Sequence, residues 1–311
     1  GKFPRNWECF HPCMYESWDN MTFGDMPDLA HRNPYVYAEL LKLARWLIED
    51  VGFDGFRYDF VKGYGADTIT AIQEYRYQRN GQQFVPYGVA EFWDNAHAIE
   101  NWVDLANFSN TNPVEAFDFP QREMLKAMCD QYGFSLKNLT TWDTVVRREE
   151  QNAVSFVENH DLRDEGRPII NDKLLAYSYI LTHEGYPCVF WHDYFNLNLA
   201  LGDTPNGIVA LVDAHEKYAG GDTEVLYVDD NLYIMQRVGY GDQPGLVYVL
   251  NNRGDNWNGR LVTTKWTNAS FAPVAWWSHS DLSRPINQST DRDGRAQFYA
   301  PPRGYAVYAM K

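Results

Sequence analysis

Apolar and polar positions along the chain follow two periods, near 3.6 and near 2, and the changes between them mark the predicted elements. Asn33-Pro34 offers a helix N-cap with proline at the first helical position, and Leu40, Leu41, Leu43, Ala44, Leu47 and Ile48 then recur on one face as far as Gly52. The next stretch, Gly52-Phe53-Asp54-Gly55-Phe56-Arg57-Tyr58-Asp59, alternates aromatic residues with glycine and charge. It reads as a buried strand that delivers Arg57 and Asp59 on one face at its carboxyl end. A helix from about Ala66 to Tyr75 turns Ile69 and Ile72 inward. Further strands are predicted at Gly88-Val89-Ala90-Glu91, at Ala116-Phe117-Asp118-Phe119, from about Ala153 to the segment Glu158-Asn159-His160-Asp161, and at Cys188–Asp193. The helix after Pro120 carries Met124, Leu125 and Met128 as core, and another runs from Asn171 through Leu174, Leu175, Tyr177, Tyr179, Ile180 and Leu181.

Strand and helix alternating in this way imply a parallel sheet covered by helices. After Gly220-Gly221 the texture changes to short β-rich runs between Gly, Asp and Asn turns: 224–228, 232–238, 245–250, 260–264, 274–277, 296–299 and 305–310. Strands at such close spacing read as an antiparallel sandwich. The predicted organisation is an irregular segment over 1–33, an α/β domain over 34–220 and an antiparallel β domain over 221–311.

Composition narrows the function classes. A chain of 311 residues with 45% hydrophobic content can bury one large core or two, and it holds no apolar run long enough to cross a bilayer. The net charge of −15 argues against nucleic acid or an anionic membrane surface as partner. Eleven Trp and 21 Tyr suit stacking on sugar rings, although packing accounts for most of them. Four Cys are too few for a disulfide scaffold; Cys9 and Cys13 leave open a disulfide or a metal cluster with His11, and Cys129 and Cys188, in apolar contexts, read as buried thiols.

Three strand ends carry acids, which is how a parallel barrel assembles a site. Arg57 beside Asp59 favours an ionised carboxylate, the state a nucleophile needs, while a structural ion pair is the plain alternative. Glu91 sits between Val89-Ala90 and Phe92-Trp93, apolar company that favours a protonated acid. One ionised and one protonated carboxyl about 5–5.5 Å apart is what cleavage of a glycosidic bond with retention requires.

On these residues the sequence resembles the α-amylase family of retaining glycoside hydrolases. Gly-Phe-Asp-Gly-Phe-Arg-Tyr-Asp (52–59) is similar to its nucleophile segment, Gly-Val-Ala-Glu-Phe-Trp-Asp (88–94) to its acid/base segment and Phe-Val-Glu-Asn-His-Asp (156–161) to its third-carboxylate segment, in the family's order. The continuation Val61-Lys62-Gly63-Tyr64 resembles the plant-like and archaeal-like members. Phe10-His11-Pro12, Met26-Pro27-Asp28-Leu29 and Tyr218-Ala219-Gly220-Gly221 extend the resemblance over most of the chain.

The resemblance implies a (β/α)8 TIM barrel, of which the five C-terminal strands are present here, followed by the family's antiparallel β-sandwich domain. Residues 1–33 then correspond to the C-terminal part of a loop domain inserted after the third barrel strand. It implies endo-hydrolysis of α-1,4-glucosidic bonds in starch-like or glycogen-like polysaccharide through a covalent glycosyl-enzyme. The implied roles are Asp59 as nucleophile, Glu91 as acid/base and Asp161 as third carboxylate, with Arg57, His160 and Lys62 binding substrate. Calcium is the implied cofactor, held by Asp19 and Asp28 and the backbone oxygens of Met21 and Gly63; a zinc seen in some relatives needs a cysteine where Ala30 stands, and is not expected. Alternatives are a transglycosylase of the same family or a non-catalytic glucan-binding module.

A half-open parallel sheet leaves edges that water cannot satisfy, so the N-terminal portion of the barrel is expected as upstream sequence or a separate fragment. Residues 1–33 lack a signal peptide's basic start and apolar middle. Secretion is expected from the substrate class alone.

Overall fold

A computed structural model describes residues 5–15, 21–164 and 166–310. The chain divides into two compact units, Gly1–Phe119 with Arg147–Val154, and Pro120–Val146 with Ser155–Lys311.

In the first unit the helix α1 (Pro34–Trp46) starts as its sequence dictates, with the Asn33 side chain accepting the Tyr35 N–H at 2.9 Å. A wide turn over Leu47–Val51 follows and ends at Gly52, whose φ of 92° is the left-handed conformation glycine adopts without penalty. The chain continues through β1 (Gly55–Tyr58), α2 (Ala66–Glu74), a hairpin of β2 (Tyr77–Arg79) and β3 (Gln82–Phe84), β4 (Tyr87–Ala90), α3 (Ala96–Asn107) and β5 (Glu115–Phe117). The second segment of this unit supplies the start of β6 (Ala153–Phe156). β1, β4, β5 and β6 are parallel neighbours in that order. Gly55 is needed where β1 passes β4, because a Cβ there would run into the Tyr87 backbone carbonyl.

The chain enters the second unit along α4 (Phe119–Asp130) and leaves it briefly along α5 (Val145–Arg148). Here α6 (Lys173–Ile180), β7 (Tyr186–Cys188) and α7 (Ile208–Tyr218) follow, with β7 next to β6 in the sheet order. Eight antiparallel strands come next: β8 (Thr223–Val228), β9 (Leu232–Arg237), β10 (Leu246–Asn251), β11 (Asn258–Thr263), β12 (Ser270–Ser278), β13 (Gln288–Ser289), β14 (Arg295–Ala300) and β15 (Gly304–Met310). They form a six-stranded sheet in the order β13-β12-β15-β10-β9-β8 and a separate pair, β11-β14.

Side-chain alternation explains why β9, β10 and β15 are buried on both faces. Ile234, Val247, Val249, Phe271, Ala306 and Tyr308 pack with Val262 and Phe298 of the two-stranded sheet, giving the sandwich. The opposite side chains, Tyr233, Met235, Tyr248, Leu250, Tyr305 and Val307, join a second core with residues of α4, α6 and α7. Arg303 helps to close this arrangement. Its guanidinium donates to the Met128 and Cys129 carbonyls at the end of α4 (2.9 and 2.7 Å) and to Asp172 at 2.8 Å.

Two expectations fail in this unit. The strand expected at Cys188–Asp193 ends at Cys188, and His192–Asn196 is a wide helical turn. Its apolar run reads as a strand by composition, yet the Trp191 and Phe195 rings pack four residues apart at 4.2 Å, a helical spacing. Cys188 is exposed rather than buried, whereas Cys129 is buried as expected.

Candidate active site

The parallel register Tyr58↔Ala90 sets the next residue of each strand, Asp59 and Glu91, side by side. Backbone bonds fix this level: the Glu91 N–H donates to the Tyr58 carbonyl at 2.8 Å, and the Val61 N–H to the Glu91 carbonyl at 3.2 Å. Immediately after Asp59 the chain turns sharply, with Phe60 in the left-handed region at φ 43°. That turn aims the Phe60 N–H at Glu91 Oε2 (3.1 Å). The cost of the left-handed residue, of order 1–3 kcal/mol, is borne where the two candidate acids meet.

Arg57 lies between the two acids. Its Nη1 donates to Asp59 Oδ1 and its Nη2 reaches Glu91 Oε1 at 2.8 Å, so one planar guanidinium spans both carboxylates. The apolar sequence neighbours of Glu91 are only part of its surroundings: it is buried, but a guanidinium and a backbone N–H replace the water it loses. The acids differ in solvent access, the Asp59 side chain being 74% exposed and that of Glu91 10%. Tyr64 donates to the Asp59 carbonyl at 3.2 Å and stacks on His31, and burial pushes its phenol pKa up.

Lys62 is held by Asp94, its Nζ 2.7 Å from Oδ2 and 5.1 Å from the centre of the Phe92 ring. Trp93 is partly exposed and stacks on Phe119 at 4.8 Å. Gly63 lies against Met21: a Cβ added to Gly63 would stand 3.3 Å from the Met21 carbonyl, and the Met21 N–H donates to the Lys62 carbonyl at 3.1 Å. Asp28 is 3.9 Å from His11 Nε2. Asp19 lies outside the described residues. Among the described residues no group of three or more His, Cys, Asp or Glu is placed to hold a metal, and Cys9 and Cys13 are free thiols.

In the second unit His160 and Asp161 stand together, Nε2 to Oδ2 at 3.3 Å, both well exposed. The Asn159 side chain turns the chain here by accepting the N–H groups of Asp161 and Leu162 at 3.0 and 3.1 Å. Glu158 turns inward instead. Its carboxylate is buried and accepts the Ile169 N–H at 2.5 Å, with Arg122 at 3.3 Å and Lys173 at 3.5 Å. Burial first of all pushes its pKa up, against those partners. Lys173 also meets Asp193, which accepts from the Tyr177 hydroxyl at 2.7 Å. The structure thus groups Arg57, Asp59 and Glu91 in one unit, and His160 and Asp161 in the other. The contacts of Arg57 with Glu91 and of Lys62 with Asp94 went unread in the sequence. Strand register would have supplied the first, since Arg57 shares Asp59's face and Glu91 ends the neighbouring strand.

Comparison with known proteins adds four findings. The sequence model of a family described as "Alpha-amylase C-terminal" matches residues 246–309. The chain is 27% identical over 240 residues to a protein named probable alpha-amylase 2 of Arabidopsis thaliana, covering 68% of this chain and 53% of that protein. It is 30% identical over 257 residues to a glucan 1,4-alpha-maltohexaosidase of Bacillus sp. (strain 707), covering 78% of this chain and 47% of that one. The chain is thus similar to proteins named α-amylases over most of its length. It spans about half the length of these relatives. Its fold matches a crystal structure of the α-amylase of Geobacillus thermoleovorans complexed with acarbose, with a TM-score of 0.72, 18% identity, and 100% of this chain and 73% of that one covered. The fold is accordingly that of the C-terminal strands of an α-amylase TIM barrel and the antiparallel domain that follows them.

The Lys62–Asp94 pair has a checkable pH signature. The hydrogen bond from Lys62, helped by the Asn95 N–H, holds the Asp94 carboxyl below its usual range. A depressed folded pKa gives stability that is fully present above the unfolded value, about 3.9, and is lost as pH falls through the folded one. The melting-temperature difference between the parent chain and Asp94→Asn is therefore expected to stay constant from pH 7 to about 5 and to shrink below about 4. A difference that grows on acidification contradicts the pairing.

Proposed function

We propose that the chain carries the catalytic carboxylates of an α-amylase, which hydrolyses internal α-1,4-glucosidic bonds of starch-like polysaccharide with retention. The observation that carries this reading is the pairing of an exposed Asp59 with a buried Glu91 on one guanidinium at adjoining strand ends. Glu91 is assigned as the proton carrier and Asp59, the acid open to an incoming anomeric carbon, as the nucleophile.

In the first step an Asp59 oxygen bonds to the anomeric carbon as the bond from that carbon to the glycosidic oxygen breaks. Glu91 gives its proton to the departing oxygen. In the second step water attacks the anomeric carbon, Glu91 takes the proton and Asp59 is released. Arg57 holds Asp59 in place and balances charge as it is passed between the acids. Asp161 and His160 are assigned to the sugar hydroxyls, and Lys62 to the reducing-side sugar once it exchanges Asp94 for a hydroxyl. The parallel sheet needs further strands beyond β1, which has β4 as its neighbour in the sheet order; we take these to be the N-terminal part of the same barrel. The polymeric substrate points to secretion.

The proposed cofactor is calcium, which takes six to eight hard oxygen ligands. The Met21 carbonyl beside Gly63 and the Asp28 carboxylate are such donors, with Asp19 and the Gly63 carbonyl completing the proposed set. Calcium there would tie the segment around Met21 to the turn that follows Asp59; it supplies no step of the chemistry.

Two outcomes are expected. Assayed on soluble starch, with and without a fragment carrying the preceding barrel strands, Asp59→Asn and Glu91→Gln each lower reducing-sugar release by about 10²–10⁴-fold while the protein stays folded. Near-normal release by either variant refutes the assignment, and glucan binding without turnover by the parent in both mixtures favours the binding-module reading. Added calcium raises the melting temperature of the parent and raises that of Asp28→Asn less. Melting curves without calcium dependence contradict the metal site.

A further inference from the structure

A cluster of titratable side chains that the proposed chemistry does not use joins the end of α6 to the antiparallel sheet, entirely within the second unit: His183 and Glu184 just beyond α6, His215 on α7 and Arg237 on β9. We propose that this joint is an acid-released latch, closed on β8 and β9 while His183 is neutral and opened when His183 takes up a proton. The latch is independent of the functional reading above.

The neighbours of the imidazole fix its charge state. Nδ1 lies 2.8 Å from the Tyr179 carbonyl oxygen, which can only accept, so Nδ1 carries a hydrogen. The Thr182 hydroxyl, 3.2 Å from the same nitrogen, donates to the Ser178 carbonyl at 2.7 Å and so also faces Nδ1 as an acceptor. That leaves Nε2 to accept from the Tyr233 hydroxyl of β9, 3.0 Å away. One neutral tautomer therefore satisfies both ring nitrogens and ties the end of α6 to β9. A second proton, on Nε2, replaces that acceptor with a donor and turns the Tyr233 hydroxyl hydrogen away.

Burial opposes a charge here. His183 has the Tyr179 ring stacked on it at 3.8 Å, the Tyr233 ring at 5.7 Å and the Tyr248 ring edge-on at 5.6 Å. Ring faces attract cations, but lost hydration weighs more, and burial holds the His183 pKa well below the usual histidine value. The charged neighbours divide. Glu184 favours a charged ring, yet its carboxylate already accepts the Thr223 N–H and, at 2.7 Å, the Thr223 hydroxyl of β8, and lies 3.9 Å from Arg237. Arg237 disfavours it, a fixed cation whose guanidinium donates to the Gly221 carbonyl at 2.7 Å and the Thr182 carbonyl at 3.3 Å. From α7, His215 Nδ1 meets the Leu181 carbonyl at 3.2 Å, and burial lowers its pKa as well, with Glu216 opposing.

The direction of the response follows. A histidine held neutral in the fold binds fewer protons than it does once released. Its contribution to closure is complete above the released value, about 6.5, and is lost as pH falls from there towards the folded value, at about tenfold in the opening equilibrium per pH unit for one proton. His183 and His215 act in the same sense.

The test follows opening of the joint by amide hydrogen exchange and mass spectrometry on the 311-residue chain at pH 7 and pH 5, with the intrinsic pH dependence of exchange removed. Peptides from 174–184 and 223–238 are expected to lose protection about tenfold at pH 5, while peptides from β11 and β14 keep theirs. His183→Gln, whose amide donates and accepts without titrating, is expected to remove most of that difference. Unchanged protection at pH 5, a loss shared equally by β11 and β14, or a loss undiminished in His183→Gln overturns the latch. Nitrogen-15 NMR of the parent imidazoles gives a reading that needs no variant to fold. A neutral His183 with its hydrogen on Nδ1 is expected in the folded chain at pH 6, and a charged His183 in the folded chain at that pH overturns the proposal.

Discussion

One guanidinium organises the candidate chemistry. Arg57 has a carboxylate at each of its terminal nitrogens, Asp59 on its own strand end and Glu91 on the next. Two acids at adjoining ends of parallel strands repel one another when both are charged, and the buried one cannot be left uncompensated. A planar cation spanning both removes that difficulty and fixes their relative position. The left-handed turn at Phe60 then has a purpose, since it brings a backbone donor to the same carboxylate. Gly55 serves the same end by letting β1 pass close to the Tyr87 backbone of β4, in the register that sets Asp59 beside Glu91.

The second unit treats acids in the opposite way. Glu158, Arg122, Lys173, Asp193 and Tyr177 form a buried network in which each carboxylate meets a cation or donor. Removing one partner from such a network typically costs about 3–5 kcal/mol, so its role is to hold the chain rather than to react. It anchors both ends of the segment that exposes His160 and Asp161: Glu158 lies just before that segment and bonds the Ile169 N–H after it. Two neighbouring acids, Glu158 and Asp161, are thus separated by burial into a fastening group and an accessible one.

Much of the fold was legible because its signals are local. The N-cap at Asn33, the strand ending at Tyr58 and the change of texture after Gly221 follow from caps, alternation and turn residues, and the elements stand within a few residues of where these place them. Other local signals went unread. Asn80-Gly81, left-handed at both positions, is the turn of the β2–β3 hairpin, and Asn95 caps α3, whose buried Ala96, Ile99, Trp102, Val103 and Ala106 keep a helical spacing. The run 188–193 was misread because aromatic, apolar composition does not separate a strand from a short helical turn. At the site the types of residue were readable and their contacts were not. Nothing in Glu91's sequence neighbours announces Arg57, which reaches it from the adjacent strand, or the Phe60 N–H, which depends on a backbone turn no propensity predicts.

The central claim is that Asp59 and Glu91 divide the work as nucleophile and proton carrier. The most direct measurement traps the covalent intermediate, using a glucosyl fluoride whose second step is slowed, followed by proteolysis and mass spectrometry. A glucosyl adduct on the Asp59 carboxyl, accumulating more strongly in Glu91→Gln, is the result this account predicts. An adduct on Glu91 or Asp161 instead, or turnover with inversion and no adduct, would contradict it.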